Sequence, residues 1–248
     1  MIGKRHIILL MALLTIVLLV GSCIWGKIPT RNYYLITYHP VADPPAESQR
    51  PYPYSIQVGR FEVTRIFNRQ NIVYRFSPHQ IQYYELERWG VRPEYMFTNL
   101  VSKHLETVGL TNRVGTEYFD SRPDFRIEGR IEGLEKYDAG DLFYAHMSMS
   151  FKLVRVRDGA QVWEYSFDQR RQVYNPEMVY TVQALSGIFQ SEMSVVTSQL
   201  DSLFYTMSTG RHMDLGQKER IVSPRESTPE SGGEDLDESG FEIIRERR

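Results

Sequence analysis

The stretch DFRIEGRIEGLEKYDAGDLFYAHMSMSFKLVRVRDGAQVWEYSFDQRRQV, residues 124–173, decides how this chain folds. Phe125, Ile127, Gly129 and Ile131 point one way, and Arg126, Glu128, Arg130 and Glu132 the other. After a loop at Asp138-Ala139-Gly140-Asp141, Ala145, Met147, Met149, Phe151 and Leu153 alternate with His146, Ser148, Ser150 and Lys152. After Arg157-Asp158-Gly159-Ala160, Trp163, Tyr165 and Phe167 alternate with Glu164, Ser166 and Asp168. A period of two marks strands with one buried face, and Asp-Gly marks a hairpin because glycine accepts the positive φ of a tight turn. Asp124 to Val173 is expected to be a three-stranded meander whose polar face meets water or a partner.

Immediately downstream, Asn175-Pro176-Glu177 reads as a helix start: a cap, a residue with preset φ, and an acid beside the positive end of the helix dipole. Met178, Val182, Leu185, Phe189, Met193, Val196, Leu200, Leu203 and Met207 then recur every three or four residues, one buried helical stripe. About 30 residues would extend roughly 45 Å, beyond the width of a small sheet. The helix is therefore expected either to break near Gly187 or to project its final turns beyond the domain. A projecting stripe would suit self-association into a homo-oligomer.

Upstream, Pro93 and Gly109 bracket a second helix whose stripe is Phe97, Leu100, Val101, Leu105 and Val108. His104 falls beside that stripe with no other His or Cys at ligand spacing, so it reads as a partly buried helix residue rather than a metal ligand. Asn32 to Tyr38 is a strand, and His39 to Pro53, with five prolines, a loop. Ser55 to Val63 is a strand in which Gly59 marks a bulge that re-phases Phe61 and Val63 onto the side of Ile56 and Val58. Asn71 to Phe76 and Gln80 to Tyr84 are expected to form a hairpin or a bent edge pair about Ser77-Pro78-His79. The expected fold class is mixed α/β, a largely antiparallel sheet with two main helices packed on it. It forms a single globular domain, residues 32–210, followed by a disordered acidic tail, 211–248. The tail is rich in Glu, Ser, Gly and Pro and has too little apolar surface to offset its ordering entropy.

Cys23 is the only cysteine among 248 residues. It follows Lys4 and Arg5, an apolar run from Ile7 to Val20, and the small pair Gly21-Ser22, which is the layout of a lipoprotein signal peptide over residues 1–22. Val20-Gly21-Ser22-Cys23 matches a bacterial lipobox, and the thiolate is the nucleophile needed to take a diacylglycerol as a thioether. Cys23 is thus the expected lipid-attachment residue, with residues 23–31 as a lipidated spacer. The competing reading, a transmembrane anchor from Ile7 to Trp25, wants about 20 apolar residues; the run stops at Val20. Either way the bulk of the chain lies outside the cytoplasm. Ile24, rather than Asp, after the lipidated cysteine favours the outer membrane, facing the periplasm.

With 29 basic and 31 acidic residues and no basic stripe interleaved with aromatics, nucleic acid is not an expected partner. There is no Gly-x-Ser-x-Gly elbow, phosphate loop, His-Glu-x-x-His or Gly-x-Gly-x-x-Gly, so no catalytic residue, metal or cofactor is expected. Glu128 and Glu132 alternate with Arg126 and Arg130, as on a solvated face.

The segment Asn71-Ile72-Val73-Tyr74-Arg75, then a polar turn, then Trp89 leading into the Pro93 helix, resembles the auxiliary lipoprotein components of ABC-type transporters, the PqiC-like proteins. A lipobox, the Tyr34-Leu35 strand, the Ile-Val-Tyr-Arg segment, a helix, a meander and a long final helix follow in the same order over residues 20 to 208. Members often carry Pro-x-Tyr-Leu where this chain has Thr64-Arg65-Ile66-Phe67. The resemblance implies a non-enzymatic periplasmic component that works with an ABC permease and ATPase and an MCE-type protein in lipid transport across the envelope. A rival reading is an outer-membrane assembly or structural lipoprotein that escorts or plugs a β-barrel. Trp89, Tyr74 and Arg75 are either an interface or a corner of the core, and an aromatic residue at a strand–helix junction usually packs.

Overall fold

The computed structural model describes residues 29–40, 50–140 and 142–210, together with positions 3, 4, 6 and 11. The rest of the expected signal segment, Cys23, most of its spacer, the middle of the proline-rich loop and the tail 211–248 lie outside the described residues. The folded elements run β1 (Asn32–Tyr34), β2 (Tyr52–Val58), β3 (Glu62–Val63), β4 (Asn71–Ser77), β5 (Gln80–Trp89), α1 (Pro93–Thr107), β6 (Thr111–Gly115), β7 (Phe125–Ala139), β8 (Leu142–Arg155), β9 (Gln161–Val173) and α2 (Met178–Thr209).

The meander forms as its alternation predicts. β7, β8 and β9 pair antiparallel, Ile127 opposite Leu153 and Met149 opposite Phe167, with those four side chains buried. Gly159 closes the second turn at φ +71°. β7 continues past the clean alternation: a register shift between Ile131 and Gly133 carries it on to Ala139, which pairs with Leu142. On its other edge, β7 accepts three strands in parallel, β2 along Phe125–Ile127, β3 at Arg130–Ile131 and β4 along Glu135–Tyr137. β2 extends outward to β6, and β4 to β5 and then β1. The sheet is mixed, its longest ladders antiparallel, with both helices on one face.

The Gly59 bulge sits where the sequence places it. Val58 pairs with Ile127 and Glu62 with Arg130, so four steps along β2–β3 match three along β7. The extra residue brings Phe61 to the core beside Ile56 and Val58, while Val63 is only half-buried. The β4–β5 hairpin closes Ser77 on Gln80, and Trp89 at its end is buried.

Several expectations are corrected. The first strand stops at Tyr34: the chain then leaves the sheet edge for α2, where the Thr37 backbone N–H donates to Ser186 Oγ at 3.2 Å and Tyr38 meets Phe189 edge-on at 5.3 Å. Tyr52 and Pro53, read as loop, belong to β2; Pro53 lies in the irregular step between the Tyr52–Thr111 and Ser55–Arg113 pairs, where no donor is required of it. α2 begins at Met178, later than the Asn175 cap implies. Asn175 Oδ1 accepts the Glu177 N–H at 2.9 Å in a local turn, and Glu177 occupies the N-cap position.

Neither expectation for the end of α2 holds. The helix is continuous through Gly187, and Leu200, Leu203 and Phe204 are buried. The helix does not cross the sheet: α2 runs back along β9. Gly187 lies by Arg171, Tyr165 donates to Glu192 Oε2 at 2.5 Å, and Trp163 Nε1 donates to Gln199 Oε1 at 3.0 Å. The 15 residues of β7 supply about 50 Å of strand to match the helix. The far end of α2 is held by aromatics, Phe204 lying 5.3 Å from both Tyr54 and Phe125.

Candidate functional site

Both helices cover one face of the sheet and leave the other open. Glu128 pairs directly with Lys152, and Arg130 with Ser150, across β7 and β8. These alternate with Ile127, Ile131, Phe151 and Leu153, which are buried, and so stand on the helix-free face. They line an open groove of about 750 Å³, walled by Gln57, Arg60 and Glu62 from the β2–β3 side. The polar residues on it hold one another loosely. Arg126 Nε donates to Gln57 Oε1 at 3.2 Å, and Arg130 bridges Glu62 at 3.5 Å and Glu132 at 3.9 Å. Exposed pairs of this kind contribute little to stability, so the groove keeps both signs of charge available to a partner.

Further along the same face lies a tighter array that sequence reading missed. Arg75 on β4 donates through Nε to both carboxylate oxygens of Glu135 on β7, each at 3.0 Å. His146 on β8 meets Glu135 Oε1 through Nδ1 at 3.0 Å and Asp168 Oδ1 on β9 through Nε2 at 2.9 Å. Four strands thus contribute one side chain each to a continuous row. Glu135 is buried, so the guanidinium is needed to offset the desolvation of its charge. Arg75 therefore serves an internal ion pair, while Trp89 is core and Tyr74 hydrogen-bonds Gln82. No spacing announced the row, since its members lie on four strands. On the opposite face, Lys136 is also buried, donating to the Pro176 carbonyl at 2.9 Å beside Asp138 at 3.6 Å.

Between the helices, His104 is buried. Thr197 Oγ1 donates to the Met193 carbonyl at 2.9 Å, so its contact with His104 Nε2 at 2.7 Å is received from the imidazole. Burial, reinforced by the charge of Arg50, lowers the His104 pKa to about 4, and the ring is neutral. Among the described residues no group of three His, Cys, Asp or Glu side chains is placed to hold a metal, and no helix is long and apolar enough to cross a membrane. Cys23 lies outside the described residues.

A mixed sheet covered on one face by two helices, with an open polar groove on the other, defines an α/β domain. The chain belongs to the ABC-type transport auxiliary lipoprotein components, whose family model matches residues 33–194. Protein XCC0632 from Xanthomonas campestris, of family DUF330, has a crystal structure similar to this one at TM-score 0.58 and 21% identity, covering 72% of this chain and 96% of its own. The crystal structure of an uncharacterized protein is similar at TM-score 0.54 and 13% identity, over 69% of this chain and 99% of that one. At these identities the likeness is one of fold. Comparison with curated proteins finds no match.

Proposed function

We propose that this protein is a non-catalytic component of an ABC-type lipid transport system, working with an MCE-type protein and an ABC permease and ATPase. Removal of residues 1–22 leaves Cys23 to carry the lipid, residues 23–31 as the spacer, 32–210 as the transport-auxiliary domain and 211–248 as an acidic tail. The domain stands in the periplasm, tethered to the outer membrane. Family membership supports the auxiliary role. The observation that carries the partner-binding reading is the groove around Glu128 and Lys152: the helices pack on the other face, which leaves this charged surface open to a partner.

Co-purification from detergent extracts tests the reading. The native protein should bring down an MCE-type protein with its permease and ATPase, and a charge reversal pairing Arg126→Glu with Lys152→Glu should release them without lowering the melting temperature. Recovery of a β-barrel protein instead would replace this reading with the assembly one. Mass spectrometry of the native N-terminus should show an acylated Cys23, and an intact Met1 in the membrane-bound form would overturn the anchor.

A further inference from the structure

One end of the domain gathers exposed apolar side chains. Leu142 pairs with Ala139 at the last rung of β7, and Phe76 follows Arg75, which pairs with Tyr137. Tyr174 follows Val173, which pairs with Phe143, itself opposite Asp138. The first turn of α2 adds Val179 and Tyr180, held at this level by the bond from Lys136 to Pro176. All five are exposed, Tyr174 at 88%. They form a rim around the end at which β7 gives way to β8.

The chain reaches the domain from the same direction. β1 runs parallel to β5 with Asn32 beside Glu87, and β5 runs antiparallel to β4 and so to β7. The residues before Asn32 therefore head toward the rim. Asn71 is opposite Arg88 and Val73 is beside Glu135, which sets Asn32 about five rungs, or roughly 17 Å, short of the rim. Cys23 precedes Asn32 by nine residues, a reach of at most ~30 Å. A fully stretched spacer would leave the rim roughly 13 Å from the lipid-bearing residue, and any slack closes that gap. The spacer carries Lys27 and Arg31 and no acid, which suits a surface of anionic headgroups.

We propose that this rim rests on the bilayer that holds the Cys23 lipid, so that Phe76, Leu142, Tyr174 and Tyr180 dip into the headgroup region and the long axis of β7 stands away from the membrane. The inference rests on the reading of Cys23 as the lipidated residue. Tyrosine suits the boundary because its ring enters the acyl margin while its hydroxyl stays wet, and phenylalanine and leucine add apolar area on the same side. A tether supplies high local concentration, so a weak contact suffices to orient the domain.

The test uses the full-length acylated protein. Acylation leaves Cys23 without a free thiol, so Leu142→Cys, Tyr174→Cys and Phe119→Cys each offer one site for a fluorescent maleimide. Phe119, 85% exposed, lies in the loop before Phe125, at the opposite end of β7. In phosphatidylethanolamine–phosphatidylglycerol vesicles containing spin-labelled lipid, probes at positions 142 and 174 should lose fluorescence and the probe at 119 should not. Equal loss at all three, or no loss at 142 and 174 in protein that floats with the vesicles, overturns the proposal and assigns the rim to a protein contact or to solvent. An N-terminal peptide with unmodified Cys23, from protein that does not float, overturns it through the anchor instead.

Discussion

The ring of Phe61 occupies the space of the side chain that residue 129 lacks: a Cβ on Gly129 would lie 2.0 Å from Phe61 Cε1 and 2.2 Å from Cζ. Phe61 is fixed there, its N–H donating to Thr98 Oγ1 at 3.0 Å and its ring meeting Phe151 edge-on at 5.7 Å. The bulge at Gly59 and the missing side chain at Gly129 are thus two halves of one packing solution.

The first prediction contrasts two glycines. Gly129→Ala drives a methyl into an immobile buried ring and should destabilise the domain by roughly 1–3 kcal/mol or more. A Cβ on Gly187 also meets an atom too closely, Arg171 Nη1 at 2.2 Å. That atom ends a flexible, exposed side chain that can swing away. Gly187→Ala should therefore be neutral, or stabilising by up to about 1 kcal/mol from helix propensity. Urea unfolding of both variants checks this; equal losses would mean that Arg171 is held in place.

The second concerns the buried carboxylate. Arg75→Met leaves Glu135 buried with only His146 beside it and should cost about 3 kcal/mol, the low end for a broken buried pair, because the Arg75 side chain is 22% exposed. Arg75→Met with Glu135→Leu should recover most of the loss. A double-mutant cycle that finds no coupling would show that the Arg75–Glu135 pair carries no pairwise energy.

The third is a dependence on pH. His104 binds a proton near pH 4 when folded and near 6.5 when unfolded, so the unfolded state takes up more protons between those values. Its contribution is full above pH 6.5 and is lost as pH falls toward 4, roughly 3 kcal/mol in all. His104→Asn should flatten this part of the profile. If stability from pH 7.5 to 4.5 falls equally in both proteins, the loss belongs to carboxylates elsewhere.

The fourth follows from the packed end of α2. Leu185→Asp and Leu203→Asp should both abolish folding, because each puts an unpaired carboxylate into apolar surroundings. Circular dichroism with light scattering distinguishes this from a folded Leu203→Asp that has merely lost self-association, the outcome a projecting helix would give.

The meander, the Pro78-His79 hairpin and both helices were legible because each rests on local periodicity and turn chemistry. The parallel pairings of β2, β3 and β4 with β7 were not, since nothing in Ile56 specifies Phe125 as its neighbour. The end of β7 was obscured because the step between Ile131 and Gly133 shifts the phase and puts Glu135 and Lys136, which look like surface residues, into buried positions. On the candidate surface, Glu128, Glu132 and Lys152 were read correctly as a polar strand face. Asp168 and His146 looked the same, and only their place beside Glu135 and Arg75 makes them a row.

The parallel docking of three strands along one edge of β7 also sets an order of assembly. Ile56 meets Phe125, Glu62 meets Arg130 and Val73 meets Glu135, each contact closing a chain segment of more than sixty residues. The meander closes over short turns and can form first. A chain made amino end first presents its early strands before the strand they need. β4 can pair with β5 and β2 with β6 beforehand, but each keeps one edge open until Phe125–Ala139 is present, so the sheet is completed only once that central strand is available.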